Sequence, residues 1–343
     1  MSGIAPLSPI EADRTLGLST TVPAEVILAA GLRPLDLNNI FITSGTTADL
    51  VEQAEREGFP RNSCAWNKGV YAAARRLRLK RLVGVTQGDC SNTHATMEML
   101  QAAGVQILPF AFPYQPEDAE LLALSLRRFA EALDTTVEKA EEWKRRLDAV
   151  RSLAHRIDEL CWRDGLITGA EQHLFLISCS DFFGDAQEYR RRAEALIAQT
   201  RARKPMPQMI RLALIGIPPI VDGLFEFLEK RGARILFNEI PRQFSMPGAT
   251  RSLIEQYSRY TYPYDIFHRL DDIQAQLKLR HVDGVIHYVQ SFCFRQVQDA
   301  ILRKNIDLPI LTLECDRPGP MEMSTETRLE AFLEMLHGGG TNC

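Results

Sequence analysis

Apolar residues recur along this chain with two periods, and the C-terminal half shows them most plainly. Arg211 to Ile217 is a short apolar run closed by Gly216 and Pro218-Pro219, which predicts a strand buried on both faces. Ile220, Leu224, Phe227 and Leu228 follow at helical spacing, and Gly232 supplies a stop after Arg231. Ala233 to Ile240 predicts the next strand. Ile254 to Leu279 predicts helix broken near Pro263, and Gly284 to Gln290 a third strand. Phe294 to Lys304 predicts a helix, Pro309 to Glu314 a fourth strand, and Thr325 to Leu336 a closing amphipathic helix. Strands alternating with helices imply a parallel sheet with right-handed crossovers.

The N-terminal part repeats this less regularly. Helices are expected over Pro23 to Ala30, Thr47 to Glu57, Trp66 to Leu79 and Asn92 to Ala103. Strands are expected within Leu35 to Ile42, over Arg81 to Thr86 and over Val105 to Phe110. Between the halves, Glu117 to Leu160 keeps a 3.6-residue period with few breakers. Thr168-Gly-Ala-Glu171 reads as a capping box opening another helix, and Gln187 to Arg203 as an Arg-rich helix. Lys204-Pro-Met-Pro-Gln208 reads as a linker. The expected architecture is α/β: two Rossmann-like parallel-sheet domains, 1–115 and 206–343, joined by a helical region, 116–205.

The totals agree with that picture. A chain of 343 residues is long for one core and comfortable for two. Its 45% hydrophobic and 24% charged residues are globular composition. A net charge of −4 and the lack of any Lys/Arg block argue against nucleic acid. The opening MSGIAPLSPIEADRTLG has neither a cationic start nor an apolar run, so no secretory signal is expected. No stretch of about eighteen apolar residues predicts a membrane span. The expected location is the cytoplasm, where the seven cysteines are not expected to pair as disulfides.

No two of these cysteines form CxxC, so position has to distinguish them. Cys90, in Gly88-Asp89-Cys90-Ser91-Asn92, lies between an expected strand and an expected helix. Cys293, in Gln290-Ser291-Phe292-Cys293, does the same, and Cys64 directly precedes the helix expected near Trp66. Free N–H groups at a helix start favour anions, and a thiol there is expected to have a lowered pKa and to bind metal as thiolate. The carboxyl ends of parallel strands are also where open α/β sheets hold ligands. The same pattern is compatible with three small buried residues at helix starts.

Further stretches carry a resemblance. Thr21 to Pro34 (TVPAEVILAAGLRP), Cys64 before a helix, Asp89-Cys90-Ser91-Asn92, Val282-Asp-Gly-Val-Ile-His287 leading to Phe292-Cys293, and Ile310 to Glu314 followed by Thr327 to Leu336 occur in that order. In this the chain resembles the cluster-bearing component of 2-hydroxyacyl-CoA dehydratases, with benzoyl-CoA reductase subunits and double-cubane cluster proteins as relatives. The resemblance implies an iron–sulfur cluster, [4Fe-4S] or double-cubane, held by Cys64, Cys90 and Cys293. It implies an ATP-hydrolysing iron–sulfur activator that delivers a low-potential electron, and an acyl-CoA substrate dehydrated through a ketyl radical at an open iron. It also implies a homodimer, or a heterodimer with a related subunit. The lack of GxxxxGK[ST] fits a separate ATP-hydrolysing partner.

Other residues are weaker candidates. Cys315, just past the last strand, is an extra ligand, a bridge to a second cluster, or an inert thiol. Glu25, Ser91 and His94 are candidate catalytic groups by proximity, although a first-turn glutamate and a helix-surface histidine are ordinary features. Cys161 is expected in a helix core, Cys179 late in a helix or in a strand, and His287 as a core histidine. Gly216-Ile-Pro-Pro219 is no dinucleotide fingerprint, because its prolines lack the N–H donors a pyrophosphate needs. Three other readings stay open: a double-cubane reductase of a small non-CoA molecule, an electron carrier with a fully ligated cluster, and a cluster-free ligand-binding protein.

Overall fold

The computed structural model describes residues 11–207 and 209–338. Cys343, Gln208 of the expected linker and the first ten residues lie outside the described residues.

Two four-stranded sheets form, and every strand pair in them is parallel. The first holds β1 (Thr15–Leu18), β2 (Arg33–Asp36), β3 (Arg81–Gln87) and β4 (Gln106–Ala111) in the order β2-β1-β3-β4. The second is built from β5 (Ile210–Gly216), β7 (Ala233–Asn238), β8 (Gly284–Val289) and β9 (Ile310–Glu314), in the order β7-β5-β8-β9. A separate parallel pair joins β6 (Val221–Asp222) to β10 (Gly319–Pro320). In chain order both sheets therefore read second-first-third-fourth, so the α/β architecture occurs twice. In each, the chain changes direction between its first and third strands, and such a switch point leaves a crevice at the strands' carboxyl ends. The middle strands are covered on both faces, which is why β8 is buried at every position.

Helices fill the space between. The expected run from Glu117 to Leu160 is two helices, Ala119–Ala132 and Val137–Trp162. Asp134 takes a left-handed φ of 53° at the break, and Thr136 caps the second helix through the Lys139 N–H. The Thr168/Glu171 capping box forms in full. The apolar core around the long helix takes in Leu16 and Leu18 of the first sheet together with Leu236, Ile240 and Tyr257 of the second half. Two buried ion pairs fix that helix in place. Arg151 meets Glu25 at 2.7 Å on the first side, and Asp158 meets Arg280 at 2.6 and 2.8 Å on the second.

Several local expectations are corrected. Leu35 to Ile42 is strand only to Asp36, whose carboxylate then caps the helix Leu37–Thr43. β7 ends at Asn238, and a short helix, Glu239–Phe244, follows. Cys179 sits in a 3-10 turn, Ser178–Ser180, and Phe294 to Asn305 is two short helices.

Two carboxyls are buried together where β2 meets this 3-10 segment. The Asp36 N–H donates to Asp181 Oδ2 at 2.8 Å, and Asn39 donates to Asp181 Oδ1 at 3.2 Å. Burial, then the Asp36 charge, pushes Asp181 up to about 7, and burial raises Asp36 as well. The folded chain therefore holds protons that the unfolded chain releases near pH 4, so stability falls as pH rises from about 4 through 7. Asp36→Asn removes the like charge and keeps a capping side chain. Its urea midpoint should fall less between pH 5 and pH 8 than that of the unaltered chain. Equal falls in the two proteins would contradict the assignment.

Candidate functional site

The three candidate cysteines occupy one structural position. Cys64, Cys90 and Cys293 are the N-cap residues of the helices Ala65–Arg76, Ser91–Ala102 and Phe294–Val297, and none of their side chains caps its own helix. Cys90 and Cys293 follow the third strand of their respective sheets, β3 and β8, beside the two switch points. The two N-terminal helices are tied together by Thr96, which donates to Asn67 Oδ1 at 3.0 Å.

Tight backbone turns aim the thiols. Gly88 has a φ of 102°, and a Cβ there would stand 2.7 Å from Pro263 and 3.0 Å from Phe112, so only glycine fits the approach to Cys90. Phe292 adopts a left-handed φ of 61° just before Cys293, a conformation that costs a non-glycine residue on the order of 1–3 kcal/mol. The loop bearing it is fastened to the end of β9. Ser291 donates its N–H to Asp316 at 2.7 Å and its hydroxyl to Glu314 at 2.7 Å, and Gln296 donates to Glu314.

Gln290 joins the two halves at this point. It is 1% exposed at the end of β8, and its Oε1 accepts both the Cys64 thiol and the Ala65 N–H at 3.1 Å. Its Nε2 donates to the Cys315 carbonyl at 3.3 Å. One buried amide thus pins the start of a helix in the first unit to the strand ends of the second.

The electrostatics differ from the sequence expectation of lowered thiol pKa values. Burial pushes Cys64 up to about 11; the Cys90 charge adds to this, and the N–H groups of Asn67 and Trp66 oppose it. Burial also raises Cys293, against the N–H and guanidinium of Arg295, with the Cys90 charge again adding. The helix-start N–H groups act in the expected direction, but loss of water outweighs them. The charge of Cys90 bears on both other thiols, so Cys64 and Cys293 each lie within its electrostatic reach. Asp89 lies there too: it accepts the Cys90 N–H at 2.7 Å, and burial pushes its carboxyl up to about 6.

Among the described residues, no group of three His, Cys, Asp or Glu side chains is placed to hold one metal ion. The ligands of a cubane attach to different irons at its corners and stand further apart than those of a single ion. The donor set suits such a cluster: three thiols unspent on capping, ringed by backbone N–H groups able to bond its sulfurs.

The remaining candidates fall elsewhere. The Cys315 thiol lies among Tyr288, Thr325 and the apolar core under the helix Met323–Gly338, and its carbonyl accepts from Gln290. Glu25 is fully buried and committed to Arg151, to Gln256 at 2.8 Å and to the Tyr257 hydroxyl at 2.8 Å, as a structural ion pair. Ser91 and His94 lie exposed on the first turn after Cys90, with His94 near enough for its charge to bear on Asp89. Cys161 and Cys179 are buried in the helical core, and His287 is buried with Nδ1 on Asp299 at 2.8 Å. An open hollow of about 380 Å³ beside Arg75 and Arg78 lies at the far ends of the two cysteine-bearing helices and holds none of these groups. Sequence reasoning overlooked Gln290, Asp89 and Arg295; only their places one to three residues from a candidate cysteine could have marked them.

The fold and site together define a two-sheet α/β protein with cysteines at three helix starts, two of them following matching strands. The chain belongs to the 2-hydroxyglutaryl-CoA dehydratase D-component family, whose model matches residues 19–336. Membership makes it a dehydratase-type component, in a family whose members bind iron–sulfur clusters and are generally partnered by an activator. No curated protein matches it. Among solved structures, a periplasmic heme-binding protein from Pseudomonas aeruginosa is 16% identical over 95% of this chain and 93% of its own, at a TM-score of 0.24. The periplasmic heme-binding protein BhuT is 12% identical over 95% and 98%, at 0.23. The SBP FpvC from P. aeruginosa is 13% identical over 96% and 98%, at 0.24. Likenesses this distant carry no argument about function. No helix among the described residues is long and apolar enough to cross a membrane.

Gln290→Leu keeps the side-chain bulk but removes the acceptor for the Cys64 thiol and the Ala65 N–H. Stability should fall by about 1–3 kcal/mol in urea unfolding, the usual cost of stranding buried donors. An unchanged midpoint would show that the amide does not join the halves.

Proposed function

We propose that Cys64, Cys90 and Cys293 are the protein ligands of one iron–sulfur cubane, and that the chain is the cluster-bearing component of an ATP-dependent system that dehydrates or reduces an acyl-CoA. The observation that supports this most is that the thiols stand at three separate helix starts, two of them after matching strands, and that the charge of Cys90 bears on both Cys64 and Cys293. When bound, a cubane with three thiolate ligands supplies a low-potential electron and one open iron acting as a Lewis acid.

The chain's own residues do the rest. Gln290 fixes the backbone on which Cys64 sits. The N–H groups of Trp66, Asn67, Arg295 and Gln296 favour sulfur in its anionic form. Burial of the thiols keeps water away. Ser91 and His94, on the outward turn beside Cys90, are the groups placed to move a proton to or from a substrate. The electron comes from a separate ATP-hydrolysing iron–sulfur activator, a reading that the lack of a GxxxxGK[ST] motif in this chain fits. A related or identical subunit completes the assembly, in the cytoplasm. The core-facing thiol of Cys315 favours a single cubane over a bridged pair.

Anaerobically purified protein should be brown, with iron and sulfide near about four per chain rather than about eight, the count a single cubane requires. Cys64→Ala, Cys90→Ala and Cys293→Ala should each lose most of that iron, and Cys315→Ala should keep it. Unaltered protein that stays colourless after reconstitution, or cysteine variants that retain full iron, would overturn the reading.

A further inference from the structure

Arg295 is a buried cation without an anion. Two residues past Cys293, it is 2% exposed, and among the described residues no carboxylate forms an ion pair with it. Its Nη2 donates to the Tyr262 carbonyl at 3.3 Å, while its Nη1 is buried with no acceptor. The guanidinium otherwise lies against ring faces, 4.8 Å from that of Tyr262 and 5.1 Å from that of Phe294. The nearby carboxylates are engaged elsewhere: Glu239 takes Arg269 at 2.8 and 3.1 Å and the Gly216 N–H at 3.0 Å, and Asp89 takes the Cys90 N–H. Arg234 is also buried without an ion pair among the described residues, its Nη1 on the Met206 sulfur at 3.4 Å, whereas three further buried arginines behave differently. Arg151, Arg269 and Arg280 each meet a carboxylate within 2.8 Å. A guanidinium taken out of water without a counter-charge costs several kcal/mol. Such a residue reads as half of an interaction whose other half is an anion absent from the polypeptide.

The place of Arg295 says which anion. Its charge and its backbone N–H both act on Cys293, and its charge reaches Asp89 beside Cys90. A cubane bound by three thiolates carries net negative charge, and neighbouring charge and hydrogen bonds set its potential. We propose that Arg295 is a positioning residue that compensates the charge of the cluster bound by Cys64, Cys90 and Cys293, with its free Nη1 as the hydrogen-bond donor to it. This rests on the cluster reading above. The residue costs stability when the site is empty, makes reduction of the cluster easier and slows its loss.

Arg295→Gln and Arg295→Lys test this in both states of the protein. In the metal-free chain, Arg295→Gln removes a stranded charge, so its thermal midpoint should equal or exceed that of the unaltered chain. In anaerobically reconstituted protein, the same variant should lose iron to a chelator at least about tenfold faster, the usual penalty for deleting an outer partner of a metal site. Its midpoint potential should shift to more negative values, and Arg295→Lys, which keeps the charge, should recover most of that shift. A metal-free Arg295→Gln chain that melts well below the unaltered one marks the residue as structural and overturns the inference. So does a loaded variant with unchanged potential and chelation rate, while leaving the cluster reading intact. Unaltered protein that takes up no iron overturns both.

Discussion

Two buried ion pairs on one helix set the relation between the halves of this molecule. Arg151 and Asp158 lie seven residues apart on Val137–Trp162, close to two full turns, so they share a face about 10 Å apart along the axis. Arg151 reaches Glu25 in the first unit, and Asp158 reaches Arg280 in the second. Each partner is buried, so removing one charge strands the other at a cost of about 3–5 kcal/mol. An apolar contact would tolerate sliding; a hydrogen-bonded charge pair at 2.6 to 2.8 Å does not. The central helix thus acts as a rigid spacer between two sheets of like topology.

That spacing matters because the proposed site lies where Gln290, at the end of β8, meets the helix start at Cys64. On the proposed reading neither unit holds a complete donor set. The first contributes Cys64 and Cys90 and the second Cys293. Gln290 bonds across the gap, and buried Arg295 brings a positive charge beside Cys293. Burial raises the pKa of both the Cys64 and the Cys293 thiol, which disfavours their thiolate forms.

Much of the fold was legible in the sequence because parallel strands and amphipathic helices write themselves in local periodicity. β5, β8 and β9 fall within a residue or two of their expected bounds, and the capping box at Thr168 is present. The misses have local causes. β1 is four residues long, too short for any period to show. The helix Leu37–Thr43 hid behind apolar residues that suit a strand equally well, although Asp36 was a capping signal. The helix Glu239–Phe244 contains Pro241, which argued against it. The positions of the three cysteines at helix starts were readable as spacing, but their electrostatics were not. The expected fall in pKa assumed solvent at the helix ends, and tertiary packing removed it. The partners that organise the site were beyond reach, since Gln290 meets Cys64 across 226 residues and Arg151 meets Glu25 across 126.

Family membership and geometry bear on different parts of the account. The family supplies the dehydratase setting, and the geometry says which side chains of this chain could serve it and what holds them. The central claim is that sulfurs from both units converge on one cluster. Iron-edge anomalous scattering from anaerobically grown crystals of the loaded protein tests it most directly. The account predicts one compact iron peak touching Sγ of Cys64, Cys90 and Cys293. Iron seated at any other cysteines, or bonded to only one side of the interface, would contradict it.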